Sequence, residues 1–188
     1  MQTLPTSTIV QFAALALLLI VAVGTDLRSH RIPNRLVLTG IGIALGTHFV
    51  WAVTGHQAFA GPNWWSPLAG LAAGCALLFP LYLLRAMGAG DVKLMAMVGS
   101  FIGFPAILTA TLYTLVAGGV LAMLFMLGRG VAAQALANLR YILTSLALRV
   151  STGQGGRIEP LQQTAARLPY ALAIAIGTGS ELLWPLIV

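Results

Sequence analysis

The sequence predicts an all-α polytopic integral membrane protein of about six transmembrane helices, with a further amphipathic helix on the cytoplasmic interface. Three observations lead there. Of 188 residues, 59% are hydrophobic and only 7% charged, with a mean hydropathy of +0.92. A soluble domain carries about a quarter charged residues, so this chain cannot cover itself with a solvated surface. Its apolar residues gather into runs near the length that crosses a bilayer, about 20 residues each. Threaded as six spans, those runs leave all ten Lys and Arg residues on one side of the membrane.

Hydropathy predicts the first span over 8–25, ending where "TDLRSHRIPNR" begins. Met1–Gly24 contains no Lys or Arg, so the basic start of a cleaved signal peptide is missing and the run is expected to stay as a span. The second span covers 36–53 and leads into "TGHQAFAGPNWWSP", whose turn residues and aromatic pair suit an interfacial loop. A third covers 67–84 and stops at Arg85; a short fourth starts near Asp91 and runs to Phe104, where Pro105 marks a turn. The fifth covers 106–127, up to "GRG", and the last 168–187. The whole of 1–188 reads as a single membrane-embedded domain.

Charge fixes the orientation. Arg28, Arg31 and Arg35 follow the first span, Arg85 and Lys93 separate the third from the fourth, and Arg129, Arg140, Arg149, Arg157 and Arg167 lie between the fifth and sixth. The loops at 54–66 and 103–106 contain none. By the positive-inside rule the basic side is cytoplasmic and both termini are outside. The net charge of +6 therefore reads as orientation in a bilayer and not as a nucleic-acid surface, since the basic residues are not interleaved with aromatics on a soluble face.

Residues 131–150, "VAAQALANLRYILTSLALRV", repeat Leu136, Leu139, Leu143, Leu146 and Val150 at three- and four-residue steps. That is the pattern of an interfacial amphipathic helix. A seventh span there would put Arg140 at mid-membrane. The lone Cys75 supports neither a disulfide framework nor a zinc site and reads as a buried structural thiol.

Acidic residues are confined to Asp26, Asp91, Glu159 and Glu181. The topology puts Asp26 at the end of the first span and Asp91 at the start of the fourth, at similar depth on the cytoplasmic side. Ionisable groups at membrane depth are costly and mark functional sites. Two carboxylates meeting in a partly dry site share a proton. One can then activate a water while the other protonates a leaving amine, which is aspartic-protease chemistry. Asp91 also suits a helix N-cap, a role compatible with catalysis. Asp26, at a helix C-terminus, has no such structural reason. The helix-end fields assign Asp91 the role of ionised base and Asp26 that of protonated acid. Gly88 and Gly90, just before Asp91, are expected to allow positive φ and to let a peptide backbone approach that carboxylate. Lys93 is either a snorkelling cation or a group that holds Asp91 ionised.

These residues resemble a known family. "MGAGDVKLMA" is similar to the GxGD motif of membrane-embedded aspartyl proteases, and "TDLRSHRIPN" resembles the first catalytic motif of type IV prepilin leader peptidases. The resemblance implies that Asp26 and Asp91 are the catalytic pair and that Ile32, Pro33 and Asn34 form the turn after the first aspartate. It also implies that "RLPYALAIA" opens the last span with Pro169 near the site. It further implies cleavage of a short basic leader, after a glycine, from a pilin-like precursor at the cytoplasmic face. Larger members carry an amino-terminal domain with paired CxxC motifs that N-methylates the product. With one cysteine, this chain is expected to lack that zinc domain and to resemble the short stand-alone peptidases of tight-adherence (Flp-type) pilus systems. No metal and no organic cofactor is expected, and the oligomeric state is left open.

Three other readings compete. A presenilin or signal-peptide-peptidase type of protease normally has a tyrosine before its first aspartate, where Thr25 stands here. A small proton-coupled transporter would place paired aspartates mid-span. A purely structural assembly partner would tolerate alanine at either aspartate. His30 reads as an exposed loop residue, and His48 and His56 fall near the outer face, away from both aspartates. "GTGSE", at 177–181, has no histidine in reach for a serine nucleophile. Trp64, Trp65 and Trp184 read as interfacial anchors.

Overall fold

A computed structural model describes residues 6–55, 60–84, 86–130, 140, 144 and 169–187. The described residues form helices without strands: α1 (Thr6–Ser29), α2 (Asn34–Thr54), α3 (Ser66–Leu83), α4 (Ala89–Ile102), α5 (Ala106–Arg129) and α6 (Tyr170–Ile187). The amphipathic stretch 131–150 lies outside them apart from Arg140 and Thr144. α1, α2, α3 and α5 are long and apolar enough to cross a membrane, and each turns large apolar side chains outward, among them Ile20, Leu38, Leu83 and Val116. An apolar exterior of this kind matches a lipid surround and not water.

The chain divides into two compact units, one of Met1–Gly118 with Pro169–Val188 and one of Gly119–Leu168. In the second unit the described end of α5 carries Arg129, whose guanidinium lies over the Phe125 ring, 4.3 Å from its centroid. The first unit holds both aspartates.

Its centre is α4, which covers the expected short fourth span. At 14 residues and 1.5 Å per residue it is about 21 Å long, well short of the hydrocarbon thickness of a bilayer. Every residue from Leu94 to Ile102 is buried, and α1, α2, α3 and α6 all pack on it. From Leu94 to Ile102 no face of α4 is left open to lipid. α4 is therefore the buried axis of the unit, sheathed by longer helices that meet the lipid.

Small residues let the sheath close. A Cβ added at Gly70 of α3 would lie 2.0 Å from the Gly99 carbonyl oxygen, and one at Gly99 would lie 2.0 Å from the Gly70 oxygen. One turn along, a Cβ at Gly74 would lie 2.5 Å from the Met95 oxygen. Gly70 and Gly74 form a GxxxG pair, as do Gly99 and Gly103, and such pairs allow backbone-to-backbone approach of membrane helices. α4 ends at Gly103, whose φ of 71° suits glycine and whose amide donates to the Gly99 carbonyl at 2.8 Å. Cys75, expected inside, is half-buried on the edge of this core. His48 is buried at the other end of α2, with Nε2 3.1 Å from the Asn63 carbonyl oxygen.

Candidate active site

Three helix ends converge on one face of the first unit: the C-terminus of α1 and the N-termini of α4 and α6. α1 runs one turn further than hydropathy predicts, passing through Asp26 to Ser29. It ends because His30 adopts a left-handed φ of 49°, with its amide donating to the Asp26 carbonyl at 2.8 Å. The His30 side chain is exposed, as expected of a loop histidine. Pro33 follows in extended conformation, φ −64° and ψ 130°. Its carbonyl accepts the amides of Leu36 and Val37, at 3.1 and 3.4 Å, which starts α2 at Asn34. Proline suits that place because it has no amide to leave unpaired and its φ is already set.

Asp26 is 6% exposed, the most buried of the described acidic residues. Its Oδ2 accepts the backbone amide of Ala171 at 3.2 Å, across 145 positions of sequence. Pro169 precedes α6, and its carbonyl takes the Leu172 amide at 3.2 Å. The first turn of α6 therefore points an unused amide at Asp26, as helix N-termini do towards anions. The helix-end assignment of base and acid does not hold in this arrangement. Asp26 lies in the last turn of α1, but it also faces the positive end of α6, so helix ends no longer distinguish it from Asp91.

Asp91 occupies the third position of α4, and not the N-cap, which is Gly88. Its Oδ2 accepts the Gly88 amide at 3.0 Å, the reach-back half of a capping box. The glycines before it do not use positive φ: Gly88 has φ −81° and ψ 154°, and Gly90 lies within the helix. Their smallness matters through contacts instead. A Cβ at Gly88 would stand 3.3 Å from the Asp91 Oδ2, and one at Gly90 would stand 3.4 Å from the Ile32 Cβ. Gly90 thus seats the start of α4 against the Ile32-Pro33-Asn34 turn. Lys93, exposed, reaches that same turn, its Nζ donating to the Asn34 Oδ1 at 3.1 Å. That contact with Asn34 is neither of the two roles expected of Lys93.

The structure brings all eight sequence-predicted site residues to this face: Asp26, Pro33, Asn34, Gly88, Gly90, Asp91, Lys93 and Pro169. Asp26 is held there by the α6 amide and Asp91 by the Gly88 amide. Two contributors escaped the sequence. One is the Ala171 amide, a backbone group that no residue type announces. The other is Tyr170, the half-buried first residue of α6. Its ring rests on Gly118 of α5, where a Cβ would stand 3.1 Å from the Tyr170 Cε1. An amphipathic aromatic side chain directly after Pro169 was the available signal.

Comparison with known protein families decides the classification. The sequence model of the type IV leader peptidase family matches residues 13–123, more than half of the chain. The chain belongs to the type IV leader peptidase family. No curated protein and no solved structure shows significant similarity to it. The leader peptidase match takes in Asp26, the Ile32-Pro33-Asn34 turn, both glycines, Asp91 and Lys93, and it stops before Pro169 and α6.

Proposed function

We propose that this leader peptidase is a membrane aspartic endopeptidase that removes the short basic leader of pilin-like precursors, after a glycine, with Asp26 and Asp91 as its dyad. The observation that supports the reading is that each aspartate has one oxygen held by a backbone amide at a helix end on the same face, Asp26 by Ala171 and Asp91 by Gly88. That anchoring leaves the second oxygen of each for a shared water. An ionised carboxylate takes a proton from the water as its oxygen attacks the scissile carbonyl carbon. The protonated partner then delivers its proton to the departing amine as the C–N bond breaks. The pair titrates jointly, so the two roles belong to the dyad.

Orientation follows from the same cluster. Arg28, Arg31, Arg35 and Lys93 are exposed at this end of the bundle, and the positive-inside rule makes it the cytoplasmic face. Both termini then lie outside, in a cytoplasmic membrane, with the leader approaching from the cytoplasm. The whole site falls within the first compact unit, and its chemistry needs no metal.

The test is an in-vitro cleavage assay. Detergent-solubilised protein is mixed with a synthetic precursor bearing a basic leader, a glycine and an apolar helix of about 20 residues. Wild type is expected to release the leader at the carbonyl side of that glycine. Release at scattered positions, or cleavage that survives in folded Asp91→Asn protein, would remove the aspartyl reading.

A further inference from the structure

An apolar groove of about 790 Å³ runs between α1 and α6. Its α1 wall extends from Ile9 to Val23, about 21 Å at 1.5 Å per residue. Ala16, Leu19 and Val23 recur at helical spacing on that side, and Leu172, Ala175 and Gly179 face them from α6. Among the described residues, no charged side chain lines it. The groove does not end at random. Val23 stands one turn before Asp26 on α1, and Leu172 directly follows Ala171, whose amide holds the Asp26 carboxylate. One end of the groove therefore opens at the candidate site, and its long axis follows two apolar helices away from it.

We propose that this groove is the docking surface for the apolar membrane helix of the substrate; the inference rests on the peptidase reading above. The occupant follows from the groove's form. Three to four turns of unbroken apolar lining fit an apolar helix lying beside α1 and α6, recognised by packing alone. Small residues at Ala16, Ala175 and Gly179 let that helix approach closely, as in membrane helix pairs. A helix seated there with its N-terminus at the level of Val23 and Leu172 carries the peptide bond just before it to the dyad. The groove thus measures where along the substrate the cut falls: at the junction between leader and apolar helix. The leader itself needs no pocket of its own in this scheme.

Gly179 supplies the test. A Cβ added there would meet nothing within 4 Å, and its φ is not in the left-handed region, so Gly179→Leu starts its side chain in open space on the groove wall, with thermal unfolding in detergent as the check on folding. Gly46 of α2 is equally open and lies off the groove, so Gly46→Leu is the control. With the synthetic precursor, Gly179→Leu is expected to raise KM about tenfold or more while kcat stays within about twofold, and Gly46→Leu to change neither. In a second arm, benzoylphenylalanine replaces Ala16, and illumination is expected to join it to the precursor's apolar helix. An unchanged KM in Gly179→Leu overturns the proposal, as does an adduct only with lipid or with this chain's own residues 131–168. A precursor that cross-links but is not cut by wild type would instead overturn the peptidase reading and leave the groove standing.

Discussion

Asp26→Asn and Asp91→Asn are each expected to lower kcat by about 10⁴-fold, and the double variant to lose no more than either single one. The geometry makes asparagine the informative replacement. Its side-chain oxygen still accepts the Ala171 amide at position 26, where the wild-type bond is 3.2 Å, or the Gly88 amide at position 91, where it is 3.0 Å. The helix ends stay satisfied, and what is lost is the capacity to carry a proton. On the proposed dyad the two groups share one proton and act as a unit, so removing either removes the function of both. Turnover of the synthetic precursor by the three variants, with thermal unfolding in detergent as the check on folding, reads this directly. Losses that multiply in the double variant would mean two independent contributions and would sink the dyad.

Gly99→Ala is expected to be among the most damaging single methyl additions at the described residues. The added Cβ would sit 2.0 Å from the Gly70 carbonyl oxygen and 2.6 Å from its carbon. Both are backbone atoms, and no rotamer change moves them aside. Overpacking a well-filled contact costs about 1–3 kcal/mol, and a backbone obstacle puts Gly99→Ala at or above the top of that range. Gly46→Ala, also within a helix but with nothing in its way, is expected to be neutral or slightly stabilising, since alanine favours helix by about 0.5–1 kcal/mol over glycine. The gap between their thermal midpoints in detergent isolates the α3–α4 contact. Equal midpoints would mean that α3 and α4 do not meet as described.

The fold is legible in the sequence because membrane residence leaves a coarse record. Long apolar runs mark α1, α2, α3 and α5 nearly residue for residue. Acid is so scarce in this chain that Asp26 and Asp91 stand out on composition and span position alone. What is not legible is non-local. Hydropathy cannot tell a helix facing lipid from one wrapped by protein, so it marks α4 as a short span without revealing that it is the axis of the bundle. The discriminating signal is present in Gly70, Gly74, Gly99 and Gly103, but glycine spacing gains meaning only once a partner helix is known. The glycines before Asp91 suggest backbone freedom, whereas their use lies in contact with Ile32 and the Asp91 carboxylate. The helix-end assignment fails for a related reason. It considers only the helix that carries Asp26, whereas the field at that carboxylate also comes from α6, 145 positions away along the chain.

The α3–α4 seam also bears on how this enzyme can move. Where two helices touch through main-chain atoms, there are no side chains to repack and so no second arrangement for the pair to slide into. α3 and α4 then behave as a stator that carries Asp91. Asp26 belongs to the other half: its bond to the Ala171 amide latches α1 to α6, the two helices whose facing sides leave open space between them. Any closing of the proposed pair is therefore a swing of α1 and α6 against a fixed carboxylate. Amide hydrogen exchange in detergent should show it, with slow exchange along α4 and faster exchange in α1 and α6. The reverse order would mean that Asp91 is the part that travels.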